Sequence, residues 1–209
     1  MKTICIAGHC GSGKTTAIKI MEKHLPNSAV IRGDTFFVSN LRKYGKIFEE
    51  IYKIPMDMEN PLKSFEFVYT EATEEGIENY LRFFNAFAPS LENEIENAIS
   101  EQKQGKNFVL VEYVTLPIFK VWQYADCRVM IVSNKKARSE KLSERAVLHN
   151  STVNDVFTFV RETALSGLIE NVGNVDFTVE NEYNEKFEKD LMRICQVIKR
   201  VNLLSRICS

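Results

Sequence analysis

Eight consecutive residues, Gly8-His9-Cys10-Gly11-Ser12-Gly13-Lys14-Thr15, satisfy the pattern G-x-x-x-x-G-K-[ST] in full. Glycines at these places let the backbone curl until successive N–H groups point at one centre, the arrangement that a chain of phosphate oxygens needs. Lys14 adds a movable positive charge for the β- and γ-phosphates, and the Thr15 hydroxyl is a ligand for a Mg²⁺ that bridges them. Gly8, Cys10, Gly11, Ser12, Gly13, Lys14, Thr15 and Thr16 are therefore expected to bind a nucleoside triphosphate.

Two carboxylates and a set of cations extend this chemistry. Asp34 follows a short apolar run and Arg32-Gly33, which puts it at the carboxyl edge of a sheet, where it can accept or orient an acceptor's hydroxyl proton. Capping the next helix is the other use of an aspartate there. Glu112 closes the apolar run Phe108 to Val111 and should emerge beside the phosphate loop, either holding a water on Mg²⁺ or simply reaching solvent. Arg138, Lys141 and Arg145 are spaced to share one helix face, and Arg161 follows the polar break His149-Asn150-Ser151-Thr152. Such a pair of helices suits a lid whose cations neutralise a phosphoryl group in transfer, although a solvated charged face has the same spacing.

The elements that must position these groups are legible in outline. Lys2 to Ala7 predicts a buried strand, and Ala17, Ile18, Met21 and Leu25 recur at helical spacing until Pro26-Asn27. Ser28 to Ile31, Phe108 to Val111, Arg128 to Val132 and Asp176 to Val179 predict four more strands. Phe187, Leu191, Ile194, Ile198 and Val201 mark one face of a C-terminal helix. Phe36 to Phe87 holds 12 of the 22 aromatic residues and no clear strand, so it reads as helical, with its rings serving either an acceptor pocket or their own core. A further helical stripe, Leu91, Ile95, Ala98 and Ile99, is expected to begin after Pro89.

Alternating strands and helices predict an α/β fold of three layers, with about five parallel strands and helices on both faces. The 209 residues fit one domain, with a helical acceptor lobe over 36–104 inserted after the second strand and a lid region over 134–165. A net charge of -1 gives no field for nucleic acid or an anionic membrane, and no apolar run is long enough to span one. A cytoplasmic protein, monomeric by default, is expected, and its five scattered cysteines read as reduced thiols. A GTPase switch is disfavoured: no D-x-x-G occurs, and Asn134-Lys135-Lys136-Ala137 has alanine where a guanine-binding carboxylate belongs. An ATPase or regulatory module and a small-molecule kinase remain, and Asp34 favours the kinase.

Lys23 to Asn27 and Asp34-Thr35-Phe36-Phe37, read with the phosphate loop, are similar to nicotinamide riboside kinase and uridine kinase. Ala88-Pro89-Ser90-Leu91, Lys106 to Glu112, Ala125 to Val129, Arg161 and Val175 to Asn181 follow the order of segments in dephospho-coenzyme A kinases, which the chain resembles over most of its length. It departs from that family at Ala88, Asp34, Leu116 to Phe119 and Leu165. The resemblance implies a P-loop small-molecule kinase with ATP as donor, Mg²⁺ as metal, and dephospho-CoA or a nucleoside as acceptor. It further implies Arg161 as a lid arginine and Asn181 in an adenine-side loop.

Overall fold

The computed structural model describes residues 1–102, 105–148, 155–170 and 173–207, with backbone alone for 145–148, 155, 170 and 202–207. In chain order the elements are β1 (Lys2–Ala7), α1 (Lys14–His24), β2 (Ser28–Arg32), α2 (Gly33–Lys43), α3 (Gly45–Tyr52), α4 (Pro61–Val68) and α5 (Glu74–Glu101). There follow β3 (Phe108–Glu112), a 3-10 turn (Leu116–Ile118), α6 (Lys120–Tyr124), β4 (Cys127–Val132), α7 (Lys135–Leu148), α8 (Asp155–Glu170), β5 (Phe177–Glu180) and α9 (Glu185–Ile207). The five strands form one sheet in the order β2-β3-β1-β4-β5, and each adjacent pair is parallel.

This order places the site. The chain leaves β1 toward β2 but leaves β3 toward β4, on the opposite side of β1, so the loops after these two neighbours diverge and open a crevice at their carboxyl ends. Ile6 in β1 and Arg32 in β2 both pair with Glu112 in β3, which puts the phosphate loop, the entry to α2 and Glu112 at one level of the sheet.

Parallel strands have both faces covered, and alternation along each strand sends residues to two cores. Ile4, Ile6, Leu110, Val129 and Ile131 pack with Ile18 and Met21 of α1 and Leu191 and Ile198 of α9. Cys5, Val109 and Val111 pack on the other face with α5, α8 and the aromatic segment. Cys5, Cys127 and Cys195 are buried and Cys10 is half-buried, all as free thiols; Cys208 lies outside the described residues.

The aromatic-rich segment is a core. Phe48, Phe65, Phe83, Phe84, Phe87, Tyr69 and Tyr80 are fully buried, and Phe48, Phe65 and Phe83 meet one another at 5.2–5.9 Å between ring centroids. Phe157 of α8 stacks on Phe65 at 4.7 Å. Burying each such ring contributes about 1.5–3 kcal/mol, so these rings hold the helices on the sheet and are not free for a ligand.

Pro89 corrects the boundary drawn from sequence, since α5 runs through it from Glu74 to Glu101. Proline removes the bond that its N–H would give to the Asn85 carbonyl. Asn85 and Pro89 both lie on the exposed face, where water can serve that carbonyl, while Phe84, Phe87, Ala88 and Leu91 keep the buried stripe continuous. Among the described residues no helix is long and apolar enough to cross a membrane.

Candidate active site

The phosphate loop leaves β1 at Gly8 and feeds α1 at Gly13, the residue that caps the helix. Gly13 has φ 100°, a left-handed conformation that side chains resist, and a Cβ there would occupy the place of the Asn181 amide nitrogen. The buried Lys14 donates from Nζ to the His9 carbonyl at 2.9 Å. Burial pushes the Lys14 ammonium below its ordinary pKa, against the pull of Cys10, Asp34 and Glu112, so the loop holds a poorly solvated cation that bound phosphates would satisfy.

Glu112 is buried at the end of β3, and the Thr15 hydroxyl donates to its two carboxylate oxygens at 3.2 and 3.4 Å. Arg32 Nε approaches the same carboxylate at 3.5 Å. Burial raises the Glu112 pKa above the usual carboxylate range, although Lys14, Thr15 and Arg32 oppose it. A hydroxyl and a carboxylate set side by side against a phosphate cradle fit Mg²⁺, which takes one or two protein groups together with phosphates and waters. Among the described residues no group of three or more His, Cys, Asp or Glu could cage a metal alone. Thr15 and, through water, Glu112 would hold the ion, which when bound supplies charge neutralisation on the phosphates.

A proton-linked expectation follows. A carboxyl whose folded pKa is raised favours the fold below the unfolded pKa of about 4.3 and loses that contribution as pH rises through the higher folded value. Glu112→Gln should therefore flatten the fall in apo-protein stability across that window, read by melting temperature against pH. The same variant should weaken Mg²⁺ dependence of nucleotide binding about tenfold, measured by titration calorimetry.

A cavity of about 600 Å³ opens over the loop and is lined by Cys10, Gly11, Gly13, Lys14, Thr15 and Thr16. From the β2 and β3 side come Asp34 and Val114; from the β4 and β5 side come Lys141, Leu142, Asn181, Tyr183 and Phe187. Gly8 and Ser12 do not line the cavity; both are buried behind it. Asp34 lies in the first turn of α2, with Arg32 at the cap position, so its exposed carboxylate is not the cap and faces the cavity. Gly33 must be small there: a Cβ would sit 2.5 Å from the Tyr113 ring.

Of the cations, Arg161 on α8 lines the cavity and lies 5.1 Å over the Phe37 ring. Burial disfavours its charge, but Cys10, Tyr80, Tyr113 and Asp34 outweigh this and hold the guanidinium firmly cationic. Arg138 is turned inward instead: it donates to the Ser133 carbonyl at 2.9 Å and to Glu162 of α8 at 3.4 Å. Within this helix row Arg138 is buried and bonded to α8, while Lys141 is exposed and lines the cavity. The Arg145 side chain and 149–154, within the proposed lid, lie outside the described residues. Asn134 accepts at 2.9 Å from the Lys136 N–H, which makes it the cap of α7.

Sequence reasoning missed Val114, Leu142, Tyr183 and Phe187. No motif marks them; Val114 and Tyr183 follow β3 and β5, and Leu142 and Phe187 come from α7 and α9.

No family model and no curated protein sequence matches the chain. Solved structures do share its fold. TT1252 from Thermus thermophilus superposes with a TM-score of 0.61 at 15% identity, over 95% of this chain and 96% of the other. Shikimate kinase from Bacteroides thetaiotaomicron gives 0.54 at 14% identity, over 95% and 98%. A dephospho-CoA kinase from Campylobacter jejuni gives 0.49 at 14%, over 96% and 97%, too distant to bear on the acceptor. The likeness is one of fold: a five-stranded parallel P-loop architecture with helices on both faces.

Proposed function

We propose that the protein transfers the γ-phosphoryl group of Mg·ATP to a hydroxyl of a small nucleotide-like metabolite, with the 3′-hydroxyl of dephospho-CoA as the first acceptor to test. The observation that carries the phosphotransferase reading is Asp34 and Arg161 lining the same cavity as Lys14 and Thr15. A carboxylate and a cation lining the same cavity as the phosphate cradle suit the two tasks of a kinase, orienting an incoming hydroxyl and neutralising the phosphoryl group in transfer. The order of segments around Ala88, Glu112, Arg161 and Asn181 supports dephospho-CoA, and the stretch from Gly8 to Phe37 supports a nucleoside of the nicotinamide riboside or uridine type as the alternative.

In this reading Lys14 and the loop N–H groups hold the donor phosphates, Asp34 orients the acceptor hydroxyl and takes its proton, and Arg161 neutralises charge on the moving phosphoryl group. Leu142 of α7 and Phe187 of α9 give the cavity wall apolar surface. The test is ADP release from Mg·ATP with dephospho-CoA, nicotinamide riboside, uridine, shikimate or no acceptor. Acceptor-dependent release with dephospho-CoA alone is the expected result. Turnover with a nucleoside only would move the acceptor assignment, and equal release without any acceptor would return the protein to the ATPase class.

A further inference from the structure

The loop between β5 and α9 grips the phosphate loop by its carbonyl oxygens. The Asn181 amide donates from Nδ2 to the Ser12 carbonyl at 2.8 Å, and the Tyr183 hydroxyl donates to the Gly11 carbonyl at 2.8 Å. The gripping residues are themselves fixed. The Asn181 N–H bonds to the Val132 carbonyl of β4 at 2.8 Å, and Asn181 Oδ1 accepts from the Tyr183 N–H at 2.8 Å. That last bond holds Tyr183 at φ 58°, a left-handed conformation that a tyrosine does not adopt unaided. Gly13 belongs to the same device, because any side chain there would displace the Asn181 amide.

In a planar trans peptide the C=O and N–H point in opposite directions. Holding the Gly11 and Ser12 carbonyls toward Asn181 and Tyr183 therefore turns the Ser12 and Gly13 N–H groups the other way, across the loop; that of Ser12 reaches the His9 carbonyl at 3.2 Å. We propose that Asn181 and Tyr183 are positioning residues that set the phosphate loop in its binding shape before any nucleotide arrives. The proposal rests on the nucleotide-site reading given above. It assigns the Tyr183 hydroxyl a role in phosphate affinity, distinct from any contact its ring makes with a base.

Tyr183→Phe separates these roles, since it removes the hydroxyl and keeps the ring. Calorimetric titration of the full-length chain with Mg·ATP and with Mg·tripolyphosphate, which has no base, reads the two. The variant should weaken both ligands by the same factor, roughly three- to tenfold for one lost neutral hydrogen bond. Asn181→Ala, which removes the second grip and the support of Tyr183, should weaken both equally and by more; if it does not fold, Tyr183→Phe decides alone. Loss confined to ATP, loss of neither, or a wild-type chain that holds ATP but not tripolyphosphate each overturns the proposal. A wild-type chain that binds neither ligand removes the nucleotide site itself, a result distinguishable from the rest.

Discussion

Replacing Lys14 with alanine should lower kcat/KM for acceptor-dependent ADP release by at least about a thousandfold, at the upper end of what loss of one preorganised charge donor costs. The size of the effect comes from where the ammonium sits. Lys14 is buried, bonds to the His9 carbonyl, and has its pKa pushed down by desolvation, so it is held ready with little water to give up. In such a place an opposite charge on a phosphate is worth far more than at the surface. The fold should survive the change, because the loop's shape is set by Gly13 and by the bonds from Asn181 and Tyr183 rather than by the Lys14 side chain. A melting temperature close to that of the parent, together with lost turnover, is the expected pair of results. Retained turnover would take Lys14 out of phosphoryl transfer.

Asp34→Asn should act on a different parameter. The substitution keeps size and hydrogen-bonding atoms but removes the charge and the basicity, so kcat should fall about 10²- to 10⁴-fold. The KM for ATP should move by no more than about threefold, since an interaction made only with the acceptor in the transition state leaves donor binding alone. Asp34 is exposed in the first turn of α2 and faces the cavity, so neither burial nor a lost helix cap complicates the outcome. Initial-rate kinetics with the acceptor found in the ADP-release panel give both parameters. A near-normal kcat would withdraw the orienting role from Asp34.

Cations divide these predictions from a simpler electrostatic account. Arg138 carries the same charge as Arg161, yet it is committed to Ser133 and Glu162 and ties α7 to α8. A buried cation bonded to a carbonyl and to a carboxylate of the next helix positions elements; a cation over Phe37 at the cavity wall is available to a substrate. Spacing could not separate the two, because residues three and four apart share a helix face without stating which way that face is turned.

What was written in the residue order by itself is the phosphate-loop motif, on which the proposed donor site rests, and the layer architecture. The phosphate loop is contiguous, its glycines, lysine and threonine act through backbone geometry and short side chains, and a strand and a helix flank it, so one short segment specifies the site. Strand positions followed from apolar, β-branched runs, because parallel strands buried on both faces can hold little else. The tertiary structure decided everything that depends on facing. It made the aromatic segment a core, carried α5 straight through Pro89 because that face meets water, and put Arg161 but not Arg138 on the cavity wall. It also joined Tyr183 to Gly11 across 172 positions and Asn181 to Ser12 across 169. Bonds of that span leave no periodicity in a sequence, since only the pairing of β5 beside β4 and β4 beside β1 brings the two loops to one edge.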